Sequence, residues 1–124
     1  MRTAAQQAGD AAEALVADHL EQAGWRILGR KVRVGRAELD LVAVDPAGPT
    51  LVVVEVRWRS RRDFGLVEET VGQEKLGRLH RAAFGLLEVG AVGGVPIARL
   101  PLRFDLVVVE PGERLRHHRH LGAG

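Results

Sequence analysis

The chain has 124 residues, 46% of them hydrophobic and 27% charged, with a formal net charge of +2. These values are typical of a soluble globular protein and leave no room for two domains of ordinary size, so we expect a single domain over residues 1–124. The absence of cysteine excludes disulfides, thiol catalysis and thiolate zinc sites. No apolar run is long enough to cross a bilayer, and Asp10 interrupts the N-terminal stretch before a signal-peptide core can form. We therefore expect a cytoplasmic protein without a membrane partner.

The N-terminal half of the chain is predicted to form one helix followed by three strands. Apolar residues at helical spacing predict the helix over residues 9–23, which ends before Gly24. Runs rich in β-branched residues then predict strands over residues 25–34, 38–45 and 50–58.

The C-terminal half is predicted to form a helix, a connector and a further strand. An apolar stripe at helical spacing predicts the helix over residues 71–89, although three glycines lower its intrinsic propensity. Residues 90–101 are rich in glycine and proline and predict a connector. Residues 102–110 are strongly apolar and predict the fourth strand, and the tail from residue 114 is a candidate for a short edge strand.

The order αβββαβ predicts an α/β fold with a central mixed sheet flanked by helices. The first three strands would form an antiparallel meander, and a right-handed crossover through the second helix would return the last strand parallel to the third. The sequences LVVVEV and LVVVE are almost continuously apolar, which is typical of central strands covered on both faces.

Each strand of the predicted central hairpin carries a carboxylate where a core strand would carry valine. The Pro-Ala-Gly-Pro sequence between these strands predicts a four-residue loop that sets Asp45 opposite Thr50. The same register sets Asp40 directly opposite Glu55.

Side chains alternate between the faces of a sheet, so the predicted register also assigns faces. Asp40, Glu55 and Arg57 would share one face, and Leu39 and Leu41 would share the other. The sequence therefore predicts a polar patch on one face, at one end of the sheet.

Two ionised carboxylates on opposed positions, with Cβ atoms about 4.5–5.5 Å apart, repel each other and need a cation. Mg²⁺ or Mn²⁺ is the simplest candidate, because hard cations bind carboxylate oxygens and phosphate, and the backbone carbonyl of Val56 could supply another ligand. The alternative is a salt-bridged cluster of Glu38, Asp40, Glu55 and Arg57 at an exposed strand end.

The order of these residues resembles a known pattern. Asp40 followed by Glu55-Val56-Arg57 resembles the Asp then Glu-x-Lys pattern of the restriction-endonuclease-like fold, in which both carboxylates hold Mg²⁺ and the lysine assists the attacking water. The segments GDAAEALVADHLEQAGWRILGRKVRV, GRAELDLVAVD, LVVVEVRWRS, VGQEKLGRLHRAA and RFDLVVV resemble the YraN-like family of uncharacterised bacterial proteins, which is related to archaeal Holliday junction resolvases. This resemblance covers nearly the whole chain and implies a restriction-endonuclease-like domain.

The resemblance also implies roles for residues that spacing alone does not single out. Glu13 matches a helix glutamate that completes the acidic site, and Lys75 and Arg78 match a lysine and an arginine of the second helix. Without the resemblance, these three side chains are ordinary solvated helix residues.

Arg57 departs from the pattern, because a guanidinium cannot give up its proton near neutral pH. Lys75 or Lys31 could replace the missing lysine from elsewhere in the fold.

The implied function is nucleic-acid binding with metal-dependent phosphodiester hydrolysis, on branched or structured DNA. Glu13, Asp40 and Glu55 would hold Mg²⁺ or Mn²⁺ and orient water, and Arg57 would neutralise charge at the scissile phosphate. The first alternative is a non-catalytic nucleic-acid-binding module that keeps the fold without turnover, and the second is a structural or protein-binding domain. A homodimer is implied only by analogy with the resolvases.

Arginine accounts for sixteen of the eighteen basic residues, and between residues 30 and 62 eight basic residues face four acidic ones. Because arginine binds phosphate in a bidentate manner, this distribution favours a nucleic-acid partner, expected to be DNA. A GC-rich genome or a heat-adapted host would also enrich arginine. The predicted phosphate contacts are Arg30, Arg33, Arg36, Arg59, Arg61, Arg62, Lys75 and Arg78.

Two further features have both a functional and a structural interpretation. In the tail sequence HHRH only His118 and His120 would share a strand face and could share a metal ion, whereas a surface role is the simpler interpretation. Trp25 and Trp58 could stack on bases, but tryptophans beside apolar strands more often belong to the core.

Overall fold

The computed structural model describes residues 2–59 and 72–121. The described elements are α1 (Ala4–Gln22), β1 (Arg26–Val34), β2 (Ala37–Asp45), β3 (Thr50–Trp58), α2 (Gln73–Val89), β4 (Ala91–Val92), β5 (Val95–Pro96), β6 (Leu102–Glu110) and β7 (Arg114–His118). Neither helix has both the length and the hydropathy that crossing a bilayer requires. That residues 1–124 form one domain stays a prediction.

Helix α1 begins at Ala4, five residues before the predicted start at residue 9. Thr3 caps the helix: its Oγ1 accepts a hydrogen bond from Gln6 N at 3.1 Å, and Gln6 Oε1 accepts one from Thr3 N at 2.8 Å. This reciprocal pair is a capping box, and its Thr-x-x-Gln signature is present in the sequence. The cap therefore extends the helix through an alanine-rich turn that has no apolar stripe of its own.

The main sheet has the strand order β1-β2-β3-β6-β7. Strands β1, β2 and β3 pair antiparallel, β3 pairs parallel with β6, and β7 adds an antiparallel edge strand. The predicted mixed sheet, with its meander and its parallel strand, is confirmed. The glycine-rich connector contains a hairpin of β4 and β5, each of two residues, that the sequence did not predict.

Each face of the sheet is covered by one helix, as the apolar central strands predict. Leu51 and Val53 of β3 belong to the core on the α2 face, whereas Val52 and Val54 belong to the core on the α1 face. All four are at most 1% exposed. Burial of such side chains stabilises the fold by about 1.5–3 kcal/mol each, so the two apolar layers hold α1 and α2 on opposite sides of β3.

The alternation of faces along β2 breaks at Asp40. Leu41 packs with the α1 core, but Leu39 packs with the α2 core, so the prediction that they share a face is wrong. The neighbouring strand is also irregular here, because Lys31 of β1 adopts a left-handed backbone with φ of 50°. A non-glycine residue in this region marks a local distortion, which regular alternation cannot anticipate.

A buried charged cluster lies at the loop end of the β2-β3 hairpin. Asp105 is fully buried and forms two 2.8 Å hydrogen bonds with Arg103 and one with His117 Nε2, also at 2.8 Å. Arg103 Nη2 also lies 3.0 Å from Asp45 Oδ2. Burial by itself would raise the pKa of Asp105, but the hydrogen bonds from His117 and Arg103 outweigh it and lower this pKa to about 2. The surface interpretation of the histidine tail is therefore wrong for His117, which is half-buried against Asp105.

Replacing Asp105 by asparagine should lower the free energy of unfolding by about 3–5 kcal/mol, because it leaves the buried Arg103 guanidinium without its bidentate partner. The measurement is urea denaturation at neutral pH. Asp18→Asn, at an exposed position of α1, is the matched control and should change stability by less than about 0.5 kcal/mol. Equal stabilities of the two variants would show that the cluster does not stabilise the fold.

Candidate functional site

Asp40 lies where strands β2 and β3 separate. The pairs of the two strands run from Asp45 opposite Thr50 to Leu41 opposite Val54, which confirms the predicted register up to that point. At residue 40 the regular pairing of the two strands has ended. Instead, Asp40 Oδ2 accepts a hydrogen bond from the Val56 N–H at 2.9 Å. A side-chain oxygen thus takes the place of a backbone carbonyl at this edge of β3.

Glu55 lies beside Asp40 and forms ion pairs with basic side chains of two elements, β3 and α2. It is 5% exposed, and its negative charge helps to raise the pKa of Asp40. Glu55 Oε1 is 3.1 Å from Lys75 Nζ of α2 and 3.4 Å from Arg57 Nη2 of β3. The structure therefore brings together Asp40, Glu55 and Arg57, and it places the helix lysine within reach of the same carboxylate.

Glu13 approaches from the α1 side and is 7% exposed, so it is not an ordinary solvated helix glutamate. Its Oε1 lies 2.9 Å from Lys31 Nζ, which also lies 2.7 Å from Asp10 Oδ1. Hydrogen bonds to Asp10 and then to Glu13 raise the pKa of Lys31. The left-handed backbone of Lys31 lies between the Arg30–Leu41 and Val32–Leu39 pairs, at the position of β1 that faces Asp40 of β2. Both lysines considered as replacements for the missing one therefore contact a carboxylate of this site.

The environment of Asp40 raises its pKa to about 7. Burial is the largest cause, followed by the negative charge of Glu55 and, more weakly, that of Glu13, while the Val56 N–H opposes the shift. Lys75 pairs with Glu55, and Lys31 pairs with Glu13. Among these three neighbouring carboxylates, ionisation is therefore least favourable for Asp40.

The donor set fits a hard divalent cation bound by two carboxylates. Mg²⁺ is commonly held by one or two carboxylates together with substrate phosphate, and Asp40 and Glu55 are neighbours of this kind. In the described part of the chain, no group of three or more His, Asp or Glu side chains is arranged to hold a metal. Glu13 Oε1 is paired with Lys31 Nζ at 2.9 Å, so this carboxylate already has a cationic partner. A metal ion, and the Val56 carbonyl as its ligand, stay predictions.

Two of the predicted phosphate contacts come together with a residue that the sequence did not single out. Arg36, Arg78 and Arg81 line a groove of about 430 Å³ between the β1-β2 hairpin and α2. Their guanidinium groups form no ion pair with a described carboxylate. Arg81 follows Arg78 by one helical turn, and this i, i+3 spacing was the available signal.

A smaller cavity of about 150 Å³ extends this groove towards the carboxylates. Both cavities are lined by Arg78, and the smaller one is also lined by Lys75, which contacts Glu55. We call the surface formed by Arg36, Arg81, Arg78 and Lys75 the basic track. It leads from the outer face of the hairpin to the carboxylate pair.

The other predicted phosphate contacts are dispersed. Arg30 Nη2 lies 3.5 Å from the Asp10 carbonyl oxygen, and Arg33 lies 3.8 Å from Glu38. Arg59 continues β3 and donates its backbone N–H to the Val109 carbonyl at 2.9 Å. The remaining two predicted contacts, Arg61 and Arg62, lie outside the described residues.

The two tryptophans differ in burial. Trp25 is 6% exposed and packs in the core on the α1 face, so the core interpretation is confirmed for it. Trp58 is 47% exposed, and the core interpretation is wrong for this residue. The tail histidine His120 donates its backbone N–H to Asp105 at 3.2 Å.

Comparisons with known proteins place this chain in one protein family. Residues 12–109 match the family described as "Uncharacterised protein family UPF0102". A UPF0102 protein of Symbiobacterium thermophilum is 42% identical over 104 residues, which cover 84% of this chain and 82% of the relative. A UPF0102 protein of Deinococcus radiodurans is 39% identical over 104 residues, covering 82% and 79%. The matches confirm the family resemblance of the sequence.

Among solved structures, SfsA of Pyrococcus furiosus in complex with Ca²⁺ is similar with a TM-score of 0.29 and 17% identity. The match covers 97% of this chain and 65% of that chain. At this TM-score the similarity supports no inference about the site.

The raised pKa of Asp40 predicts how pH changes the stability of the metal-free protein. The folded-state pKa of about 7 exceeds the unfolded value of about 3.9, so the protein binds more protons when folded between these values, and ionisation of Asp40 destabilises it as pH rises. The melting temperature of Asp40→Asn relative to wild type should therefore increase as pH rises from about 4 to about 7. Thermal melts in a chelator test this.

Glu21→Gln, at an exposed position of α1, is the control and should follow wild type at every pH. A difference between Asp40→Asn and wild type that does not depend on pH would contradict the raised pKa of Asp40.

Proposed function

Since the chain belongs to the uncharacterised protein family UPF0102, we propose its function from the site: it binds nucleic acid and hydrolyses phosphodiester bonds with Mg²⁺ or Mn²⁺. The single observation that supports this proposal best is the neighbouring pair Asp40 and Glu55, held at the open edge of β3 with Lys75 and Arg57 on Glu55. The sequence resemblance to relatives of Holliday junction resolvases favours branched or structured DNA as the substrate.

In this proposal Asp40 and Glu55 would hold the metal ion, and Glu13 would add negative charge nearby. A bound divalent ion would polarise the phosphate and lower the pKa of an attacking water. Binding would also draw the proton from Asp40, because only its ionised form is a good ligand.

The two cations on Glu55 would have different tasks. Arg57 keeps its charge at every relevant pH and would stabilise the negative charge that develops on the phosphate. Lys75 has an ammonium group 3.1 Å from Glu55 and would orient the attacking water from the α2 side. In this way Lys75 of α2 would take the role of the lysine that the pattern has in the strand, where this chain has Arg57.

The alternative is a nucleic-acid-binding module without turnover. One observation favours it: Lys31 and Lys75 already form ion pairs with Glu13 and Glu55, so the site is largely neutralised by its own residues. The basic track supports nucleic-acid binding in both cases. A homodimer stays a prediction.

Replacing Asp40 by asparagine should abolish metal-dependent cleavage, because an amide is a weaker ligand for a hard cation. Lys75→Gln should lower the rate by about a hundredfold or more, and Arg57→Lys should keep or raise it, since lysine restores the residue of the pattern. The assay uses labelled four-way junction, flap and single-stranded DNA with Mg²⁺ or Mn²⁺.

Arg26→Gln, at an exposed position of β1 outside the site, is the control and should cleave like wild type. If Asp40→Asn cleaves as well as wild type, the activity does not belong to this site. If wild type and all variants bind DNA but cleave no substrate, the binding module replaces the nuclease.

Removing the three arginines of the groove together, as Arg36→Ala, Arg78→Ala and Arg81→Ala, should weaken DNA binding and its salt dependence. Each lost phosphate contact should flatten the slope of log affinity against log salt by up to about 0.9 for duplex DNA. Fluorescence anisotropy in a chelator, at several salt concentrations, measures both quantities.

The matched control removes the same charge from exposed positions outside the groove: Arg26→Ala, Arg99→Ala and Arg114→Ala together. This control shows how much of the change in DNA binding comes from losing three positive charges anywhere on the surface, and how much comes from losing contacts in the groove. Equal slopes for the two triple variants would place the phosphate contacts outside the groove.

A further inference from the structure

Trp58 is the last residue of β3 and presents its indole beside the candidate site. It is 47% exposed, although a tryptophan at the end of a central strand is expected to be covered. It lines a groove of about 520 Å³ together with Ala4, Ala5, Ala8, Gly9, Val56 and Arg57. A large aromatic side chain left open in a groove marks a contact surface.

Two of the residues that line the groove connect it to the carboxylates of the site. Val56, which lines it, donates its backbone N–H to Asp40. Gly9, on the opposite wall, precedes Glu13 by one turn of α1, so the two lie on the same helix face. A molecule bound in the groove would therefore extend towards Asp40 without leaving the protein surface.

The walls of the groove suit a flat ring followed by an anion. The helix wall consists of Ala4, Ala5, Ala8 and Gly9, whose small side chains leave the space over the indole open. Arg57 lies next to Trp58 on the other wall, and its buried Nε has no hydrogen-bond partner among the described residues. An aromatic surface beside a guanidinium group is the combination that binds a base and its phosphate in single-stranded nucleic acid.

We propose that Trp58 stacks on an unpaired nucleobase next to the phosphodiester bound at Asp40 and Glu55. The preferred substrate is then DNA with a single-stranded or unpaired segment at this position, because the faces of a base inside a duplex are covered by its neighbours. The proposal rests on the nucleic-acid binding proposed above and specifies which form of DNA the site accepts.

The test measures binding in a chelator, where cleavage cannot interfere, with a fluorescein-labelled thymidine oligonucleotide and a fully paired duplex of the same length. Trp58→Ala should weaken binding of the oligonucleotide about five- to a hundredfold, and that of the duplex less than about twofold. Trp58→Phe should retain most of the affinity, since it keeps an aromatic face. The salt slope should stay unchanged, because stacking releases no counterions.

A matched control is Phe84→Ala, which removes another exposed aromatic side chain, 57% exposed on α2, and should bind both probes like wild type. Tryptophan emission gives an independent signal: the oligonucleotide should quench wild type, but not Trp58→Phe, whose remaining Trp25 is buried. Melting temperatures of the Trp58 variants close to wild type establish that folding is intact.

Two negative results have different meanings. If wild type binds the oligonucleotide and Trp58→Ala binds it equally well, the stacking proposal is wrong and the nucleic-acid function stands. If wild type binds neither probe at any salt concentration, the proposed function fails, and the stacking proposal fails with it.

Discussion

The hydrogen bond from the Val56 N–H to the Asp40 carboxylate is the interaction on which the candidate site depends. A buried backbone N–H needs an acceptor, and beyond the Leu41–Val54 pair β2 offers a side chain in place of its backbone. Strand β3 meanwhile continues its pairing with β6 as far as Trp58. One edge of β3 is therefore completed by β6, and the other is completed by a carboxylate.

This arrangement forces Asp40 against Glu55, and the surrounding elements compensate for the repulsion. Lys75 reaches Glu55 from α2, and Lys31 reaches Glu13 on the α1 side. Asp40 accepts a hydrogen bond from the Val56 N–H, but burial and the negative charge of Glu55 outweigh it and raise the pKa of Asp40 to about 7. Asp105 lies on β6, beyond β3, and is also buried, yet its hydrogen bonds with His117 and Arg103 lower its pKa to about 2. The two aspartates show that burial gives opposite pKa shifts, depending on whether cationic side chains hydrogen-bond to the carboxylate.

Two chemically different surfaces lie around the carboxylates, one basic and one aromatic. The basic track of Arg36, Arg81, Arg78 and Lys75 lies on the α2 side, and the Trp58 groove lies along α1 and is lined by Val56 and Arg57, next to Glu55 in β3. Phosphate contacts are insensitive to base pairing, whereas an exposed indole distinguishes a free base from a paired one. In the proposed function the two surfaces would bind the paired and the unpaired parts of one structured DNA.

Local patterns in the sequence determined the order of the elements, the mixed sheet and the hairpin register, because apolar periodicity and turn residues act over a few positions. The same register placed Asp40 next to Glu55, and the family resemblance added Glu13, which spacing treats as solvated. Tertiary structure decided the rest, because burial and ion pairs depend on which helix covers which face. The distortion at Lys31 and Asp40 moved Leu39 to the α2 core, α2 brought Lys75 to Glu55, and the small side chains of α1 left Trp58 open while Trp25 became core.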